Sequence, residues 1–302
     1  MKYLWLYLKG LAMGSADVVP GVSGGTIAFI TGIYTELLDS IKSVNINALV
    51  TLLKEGPKAA WQSINGTFLL VLLLGILSAI LTLAKLIHYL LDHHAILLWS
   101  FFFGLILASS LHMAKQITQW GGKTYLALLL GAVCAGFISI ASPTSIEPSY
   151  LNIFIAGSIA ICAMILPGIS GSFILLLMGL YAPVLAAVKG FQIDIMLIFA
   201  LGAGLGLMMF SRLLSWLLHR YQDLMFSLLT GFMLGALLKV WPWKETISVR
   251  LNSKGLEVPF EQLNRLPEWV NNDQILLSGL MACIGFTCVF LLEKVSKQQD
   301  RD

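Results

Sequence analysis

A proline, three glycines and two hydroxyls interrupt an apolar segment of this chain, in the run Pro20-Gly21-Val22-Ser23-Gly24-Gly25-Thr26 within ADVVPGVSGGTIAFITGIY. Proline removes a backbone donor and glycine weakens a helix, so no helix is expected to pass straight through. In a bilayer, broken backbone survives only where protein buries it or where it lines a watery cavity. The same pattern returns as Pro167-Gly168-Ile169-Ser170-Gly171-Ser172-Phe173, within AMILPGISGSFILLLMGLY. Two matched interruptions in corresponding halves of a membrane chain point to a transporter's binding site.

That the surroundings are a bilayer follows from composition. Of 302 residues, 58% are hydrophobic and 12% charged, against roughly 25% charged in a soluble domain. A mean hydropathy of +0.85 agrees, and the chain reads as an integral membrane protein. A net charge of +3 is too small to suggest a nucleic-acid partner. Cys134, Cys162, Cys283 and Cys288 lie in apolar segments without a CxxC pair, and packing is their default role. The N-terminal MKYLWLYLKGLAMGSA mimics a signal peptide, but Lys9 interrupts its apolar run and the first copy of a repeat begins inside it. It is read as retained.

The repeat sets the organisation. Positions 8–42 align with 155–189 without a gap, pairing Gly10 with Gly157, Pro20 with Pro167, Gly32 with Gly179, Tyr34 with Tyr181 and Lys42 with Lys189. At a shorter offset Gly75 falls on Gly202, Lys85 on Arg212 and Gly104 on Gly231. The last spans match more weakly, through Cys134-Ala135-Gly136-Phe137 and Cys283-Ile284-Gly285-Phe286. The expected fold is an all-α integral membrane protein of two inverted-topology repeats, each a re-entrant helical hairpin plus three transmembrane helices. Repeat one (1–150) holds a hairpin at 8–42, an interfacial connection at 43–66 and spans at 67–91, 95–116 and 123–141. Repeat two (151–302) holds a hairpin at 151–189, spans at 194–218 and 223–240, an extracytoplasmic loop at 242–272 and a span at 273–294.

The hairpin reading rests on length. An apolar arm of 8–19 is about 18 Å long as a helix and a second arm of 26–42 about 25 Å, so the first is too short to cross alone. Two full spans with a broken middle remain the alternative. A hairpin plus three spans crosses an odd number of times, which inverts the second copy. With the N-terminus inside, Lys2, Lys9, Lys42, Lys54, Lys58, Lys115, Lys123, Arg220, Lys294, Lys297 and Arg301 flank the cytoplasmic side. In the outer loop, Lys244, Arg250, Lys254 and Arg265 are offset by Glu245, Glu257, Glu261, Glu268 and Asp273. Lipid-facing and protein-facing apolar surface look alike in sequence, so a homo-oligomer fits the chain as well as a monomer does.

The candidate site is built on the two tips. Helix N-termini opened by glycine present unsatisfied N–H groups and the positive end of the helix dipole, which favours an anion. Pro20, Gly21, Ser23, Gly24, Gly25 and Thr26 form one tip, and Gly168, Ser170, Gly171 and Ser172 the other. The competing reading is that these small residues only let helices pack closely. Lys85 and Arg212, symmetry mates late in apolar spans, are candidate phosphate-binding cations, with snorkelling to the headgroups as the alternative. Asp17, whose mate is Met164, is a candidate for proton coupling or for a contact to Lys85 or Arg212, with a helix cap as the other reading; Glu36, whose mate is Pro183, is a candidate for proton coupling, with a place at the interface as the other reading. His88, Asp92, His93 and His94 read as a solvated span end rather than a metal site. No nucleophile–base pair, metal site or cofactor is expected.

GSADVVPGVSGGTIAFITGIY and AMILPGISGSFILLLMGLY resemble the two signature segments of the bacterial polyprenyl-phosphate translocases. The resemblance runs nearly the whole chain. It implies a flippase in the cytoplasmic membrane that returns undecaprenyl phosphate from the outer to the inner leaflet, recycling the carrier for cell-wall synthesis. It carries over to the motif positions only, from Asp17 to Thr26 and Pro167 to Ser172; the roles of Lys85 and Arg212 are inferred from their chemistry. Two rival readings are a small-anion channel or carrier and a membrane undecaprenyl-pyrophosphate phosphatase. The phosphatase family shares inverted repeats and a PGxSRSG-like tip, yet neither tip here has an arginine and no paired-glutamate motif stands in the apolar spans.

Overall fold

The computed structural model describes residues 2–19, 21–251, 257–267 and 272–299. Pro20, Lys254, Glu268 and Arg301 lie outside the described residues. The chain opens with α1 (Lys2–Asp17), α2 (Gly24–Ile30) and α3 (Tyr34–Ser43), followed by α4 (Ile46–Glu55) and α5 (Pro57–Ser63). Long helices α6 (Gly66–His93), α7 (Ala95–Ala114) and α8 (Gly122–Ile140) come next. Then α9 (Tyr150–Ile165), α10 (Gly171–Leu177) and α11 (Tyr181–Lys189) repeat the opening pattern. They lead to α12 (Ile193–Arg220), α13 (Gln222–Ala236), the strands β1 (Lys244–Leu251) and β2 (Glu257–Asn264), and α14 (Asn272–Gln299). Among the described residues α6, α7, α8, α12 and α14 are long and apolar enough to cross a membrane, and the bent pair α10–α11 would make a sixth span if counted as one.

Three expectations need correcting. The first arm does not begin at residue 8: α1 starts at Lys2, and Lys9 stays helical by sending its ammonium to the Thr31 carbonyl at 2.8 Å. The run 26–42 is not one helix either. Gly32 takes φ +72°, its N–H bonds Phe29 O and the Ile33 N–H reaches back to Ala28 O. This pair of bonds around a left-handed glycine is a Schellman stop, which satisfies the last carbonyls of α2 and turns the chain into α3. Gly179, at φ +73°, repeats it through Gly179 N–H to Leu176 O and Leu180 N–H to Leu175 O, and α10 meets α11 at a bend of 112°. Finally, within this mostly helical membrane fold the segment read as a loop, 242–272, carries a two-stranded antiparallel ribbon of β1 and β2.

Close backbone approach organises the bundle. Gly75 of α6 sits against the Tyr7 carbonyl of α1, and Gly202 of α12 against the Phe154 carbonyl of α9; Tyr7 and Phe154 are themselves matched positions of the repeat. Gly10 meets Leu72 and Gly157 meets Phe199, again matched. Successive contacts advance together along both helices, so α1 runs parallel to α6 and α9 parallel to α12. The remaining spans exchange partners between halves. Gly104 and Gly285 hold α7 parallel to α14, and Gly131 and Gly231 hold α8 parallel to α13. A His112–Glu293 contact of 3.0 Å closes the far end of the α7–α14 pair.

Shared ends tie the short helices to these spans. Asn65, at the head of α6, donates to Glu36 Oε1 at 3.0 Å and to Ser40 Oγ at 3.1 Å on α3. In the second half Tyr150 at the head of α9 donates to Asp194 at the head of α12 at 2.8 Å, and Thr144 N–H bonds Leu177 O at the end of α10. The core runs through Val19, Val22, Leu38, Ile106, Met113, Leu214, Leu229 and Met233, all fully buried, so the first break lies inside it. Outward faces stay apolar, with Leu73, Leu77 and Leu81 on α6 and Leu129, Val133 and Phe137 on α8 exposed, as a lipid-facing surface requires. Helix α4 buries none of its residues and exposes Ile46, Leu49 and Leu53, the pattern of a helix lying in the interface.

Candidate functional site

Each break is shaped by its own residues first. Asp17 ends α1 and its Oδ1 accepts the Gly24 N–H at 2.7 Å, while Ser23, extended at the N-cap of α2, accepts the Gly25 N–H at 3.1 Å. Gly21 takes φ +89° and Gly168 +87°, a left-handed turn that only glycine adopts without strain. The second break lacks the carboxylate, since residue 164 is methionine, and Ser170 makes no cap bond; its hydroxyl instead faces Ser172 Oγ at 2.9 Å.

The two breaks then meet. Ser23 Oγ donates toward the carbonyls of Met164 and Leu166, at 3.0 and 3.1 Å. Gly168 N–H donates to Thr26 Oγ1 at 3.1 Å, and Tyr34 OH to Ile165 O at 3.2 Å. Gly25 packs directly on the Ile165 carbonyl oxygen. Ser23 and Thr26 are fully buried and Ser170 nearly so. Carbonyls exposed by a broken helix need partners inside an apolar bundle, and here Ser23 and Tyr34 of the first half supply them to residues 164–166 of the second, while Thr26 of the first half accepts the Gly168 N–H. Ser23→Ala is therefore expected to cost about 1–2 kcal/mol, the penalty of a lost buried hydroxyl partner, read as a lower midpoint in thermal unfolding of the detergent-solubilised protein.

Other expected residues are dispersed. Lys85 and Arg212 are exposed on α6 and α12, Arg212 next to the exposed Leu213 and near the exposed Met209 and Trp216, whereas Ser23 and Thr26 of the first tip are fully buried. Glu36 is exposed and engaged with Asn65. His88 lies within α6, whereas Asp92, His93 and His94 line a shallow cavity with Asp273, Gln274 and Leu277 where α6, α7 and α14 converge. Among the described residues no cluster of three or more acidic, histidine or cysteine ligands is arranged around a metal site.

Two cations that sequence reading passed over stand beside the breaks instead. Lys239, just past α13, lays its side chain across Gly21 of the first break and holds its ammonium 3.8 Å from the ring centre of Phe173 in α10. Lys244, opening β1, donates to the Lys239 carbonyl and stands 4.3 Å from the ring centre of Trp99 in α7. Neither has an acidic partner within ion-pair distance among the described residues; Glu245 pairs with the exposed Arg265 on the ribbon. Burial, and then the nearby charge of Lys239, push the Lys244 ammonium down to about 7. The sequence carries the signal: Lys239 ends an apolar run just before Trp241 and Trp243, at the edge of the segment 223–240 that reads as a span.

A family model described as undecaprenyl phosphate translocase-like matches residues 13–258. A polyprenyl-phosphate transporter of Vibrio cholerae is 58% identical over 303 residues, covering 99% of this chain and 98% of its own length. A polyprenyl-phosphate transporter of Staphylococcus aureus is 33% identical over 260 residues, covering 80% of this chain and 87% of its own. No solved structure matches.

Proposed function

The chain belongs to the undecaprenyl phosphate translocase-like family, and from that premise we propose that it returns undecaprenyl phosphate from the outer to the inner leaflet of the bacterial cytoplasmic membrane. The lipid carrier is thereby recycled for cell-wall precursor synthesis. The observation that carries this reading is the direct meeting of the two breaks, through Ser23, Thr26, Tyr34 and Gly168. It gathers hydroxyls and backbone donors in the core of an otherwise apolar bundle. A phosphate headgroup needs such a polar passage, whereas the prenyl tail can remain in lipid.

Alternating access follows from inverted repeats. Inversion is supported by the exchanged packing: α7 is parallel to α14 and α8 to α13, while α7 and α8 are consecutive spans of opposite direction, so the matched helices α7 and α13 run oppositely. The re-entrant reading is supported by α1 starting, and α3 lying, at the end of the bundle where α6 begins. Lys115, Lys123, Arg220 and Lys294 gather at one end and the ribbon at the other, which favours a cytoplasmic N-terminus and an outer ribbon. In this mechanism one repeat rocks against the other. The bonds between the breaks open, and Ser23, Thr26 and the N–H of Gly168 exchange their protein partners for phosphate oxygens, with the other tip residues around them. Lys85 and Arg212 act as perimeter cations for headgroups at the bundle surface, not as part of the cradle.

The test is reconstitution in liposomes carrying undecaprenyl phosphate, with leaflet exposure of the headgroup and release of inorganic phosphate followed together. Headgroup movement without hydrolysis is the expected result. Phosphate released from added undecaprenyl pyrophosphate would instead assign the phosphatase activity, and transport of free anions without the lipid would assign a small-anion carrier.

A further inference from the structure

We propose that Lys239 and Lys244 form the cationic seat for the phosphate monoester of the transported lipid, a role that rests on the transport reading above. The two side chains come from one short stretch, 239–244, yet they reach different parts of the bundle. Lys239 spans the first break at Gly21 and the second half at Phe173, and Lys244 reaches Trp99 of α7. The lysine at 239 thus touches both elements that must separate if the passage opens, and it is already at their junction.

Two partly buried ammonium groups, near enough for the charge of Lys239 to act on Lys244, repel each other and lose hydration. Aromatic faces at 3.8 and 4.3 Å offset part of that cost. No carboxylate completes the pairing among the described residues, although Glu245 is adjacent in sequence and turns to Arg265 instead. A fold that needed these charges only for itself would pair them. What remains among the described residues is a pair of lysines with no carboxylate, and a phosphate monoester of roughly −1.5 to −2 near neutral pH would favour the charged form of both. Trp241 and Trp243, with Phe103 edge-on at 5.6 Å to Trp241, put an aromatic collar at the same end of the bundle, suited to the membrane interface where the headgroup enters.

The unpaired state gives a signature that separates binding from scaffolding. Removing a half-buried charge that has no acidic partner among the described residues should leave the empty protein as stable or more stable, while weakening its grip on the anion. The experiment uses full-length protein in nanodiscs, titrated with undecaprenyl phosphate, undecaprenol and inorganic phosphate. Lys239→Gln is expected to weaken binding of the lipid phosphate at least tenfold and Lys244→Gln several-fold. Both variants should melt at or above the wild-type temperature, and Lys239→Arg should retain most of the affinity. Undecaprenol, lacking the phosphate, should bind weakly and equally to all. Lipid-phosphate affinity unchanged in both glutamine variants overturns the assignment while leaving the transport reading intact. Lower melting with unchanged affinity overturns it too, in favour of a structural role. Inorganic phosphate that competes at the same concentration as the lipid makes the pair a free-anion site and overturns the lipid assignment. Wild-type protein that fails to bind the lipid phosphate overturns the transport reading, and this assignment with it.

Discussion

Gly25→Val is expected to abolish headgroup transport and to destabilise the protein by about 3 kcal/mol, at the upper end of what overpacking costs. Gly25 stands in the second position of α2, where any Cβ would collide with the Ile165 carbonyl oxygen in the opposite break. That carbonyl also accepts from Tyr34, and its neighbours Met164 and Leu166 accept from Ser23. A valine therefore cannot be relieved by turning a flexible side chain; it must push the two breaks apart and strain every bond between them. Ser172, the matched position in the second half, already carries a Cβ and is partly exposed, so Ser172→Ala should shift the melting point little. Thermal unfolding in detergent gives the stability, and leaflet exposure in liposomes gives the transport. A wild-type melting point for Gly25→Val would mean the breaks are not in firm contact.

The second large effect is expected where spans from different halves touch. A side chain at Gly231 would collide with the Leu128 carbonyl, and one at Gly104 with the Ala282 carbonyl. In a bilayer, helices associate by close packing of small residues, because lipid is as apolar as leucine. Gly231→Leu and Gly104→Leu should each cost about 3 kcal/mol or more and yield protein that elutes as aggregate. Gly204 is the control, since nothing lies within 4 Å of a Cβ built there; Gly204→Leu should elute and melt like wild type. Equal behaviour of Gly204→Leu and Gly231→Leu in size exclusion and thermal unfolding would contradict the exchanged packing of α7, α8, α13 and α14.

The features most legible in the sequence were those written in runs. Long apolar stretches become the spans α6, α7, α8, α12 and α14 because hydrophobic length and helical hydrogen bonding leave no other solution in lipid. The breaks were legible because proline and glycine act locally. Three things were less visible. The stops at Gly32 and Gly179 were in plain view, each a glycine followed by an apolar residue, but the continued hydrophobicity beyond them hid the Schellman turn. The ribbon at 244–264 carries charges on its strands, and its pairing depends on cross-strand register, which a polar loop does not advertise. The destination of Ser23 was hidden for a deeper reason. A hydroxyl in a break serves equally well as a ligand donor or as a partner for orphaned carbonyls, and only the position of residues 164–166, about 140 places away, decides which. A still longer separation concealed Lys239, which reaches Gly21 from the far end of α13.

Accessibility of the junction from the two sides of the membrane tests the central claim most directly. In a background with Cys134, Cys162, Cys283 and Cys288 replaced by alanine, Ser172→Cys puts a thiol at the second break, partly exposed and beside Ser170. Oriented vesicles are treated with a membrane-impermeant thiol reagent from the outer face, or from the inner face after opening, with and without undecaprenyl phosphate. Labelling from both faces, with protection by the lipid phosphate on each, is the predicted result. Labelling from one face alone, or labelling that the lipid leaves unchanged on both, would contradict a headgroup path of alternating access through the meeting point of the two breaks.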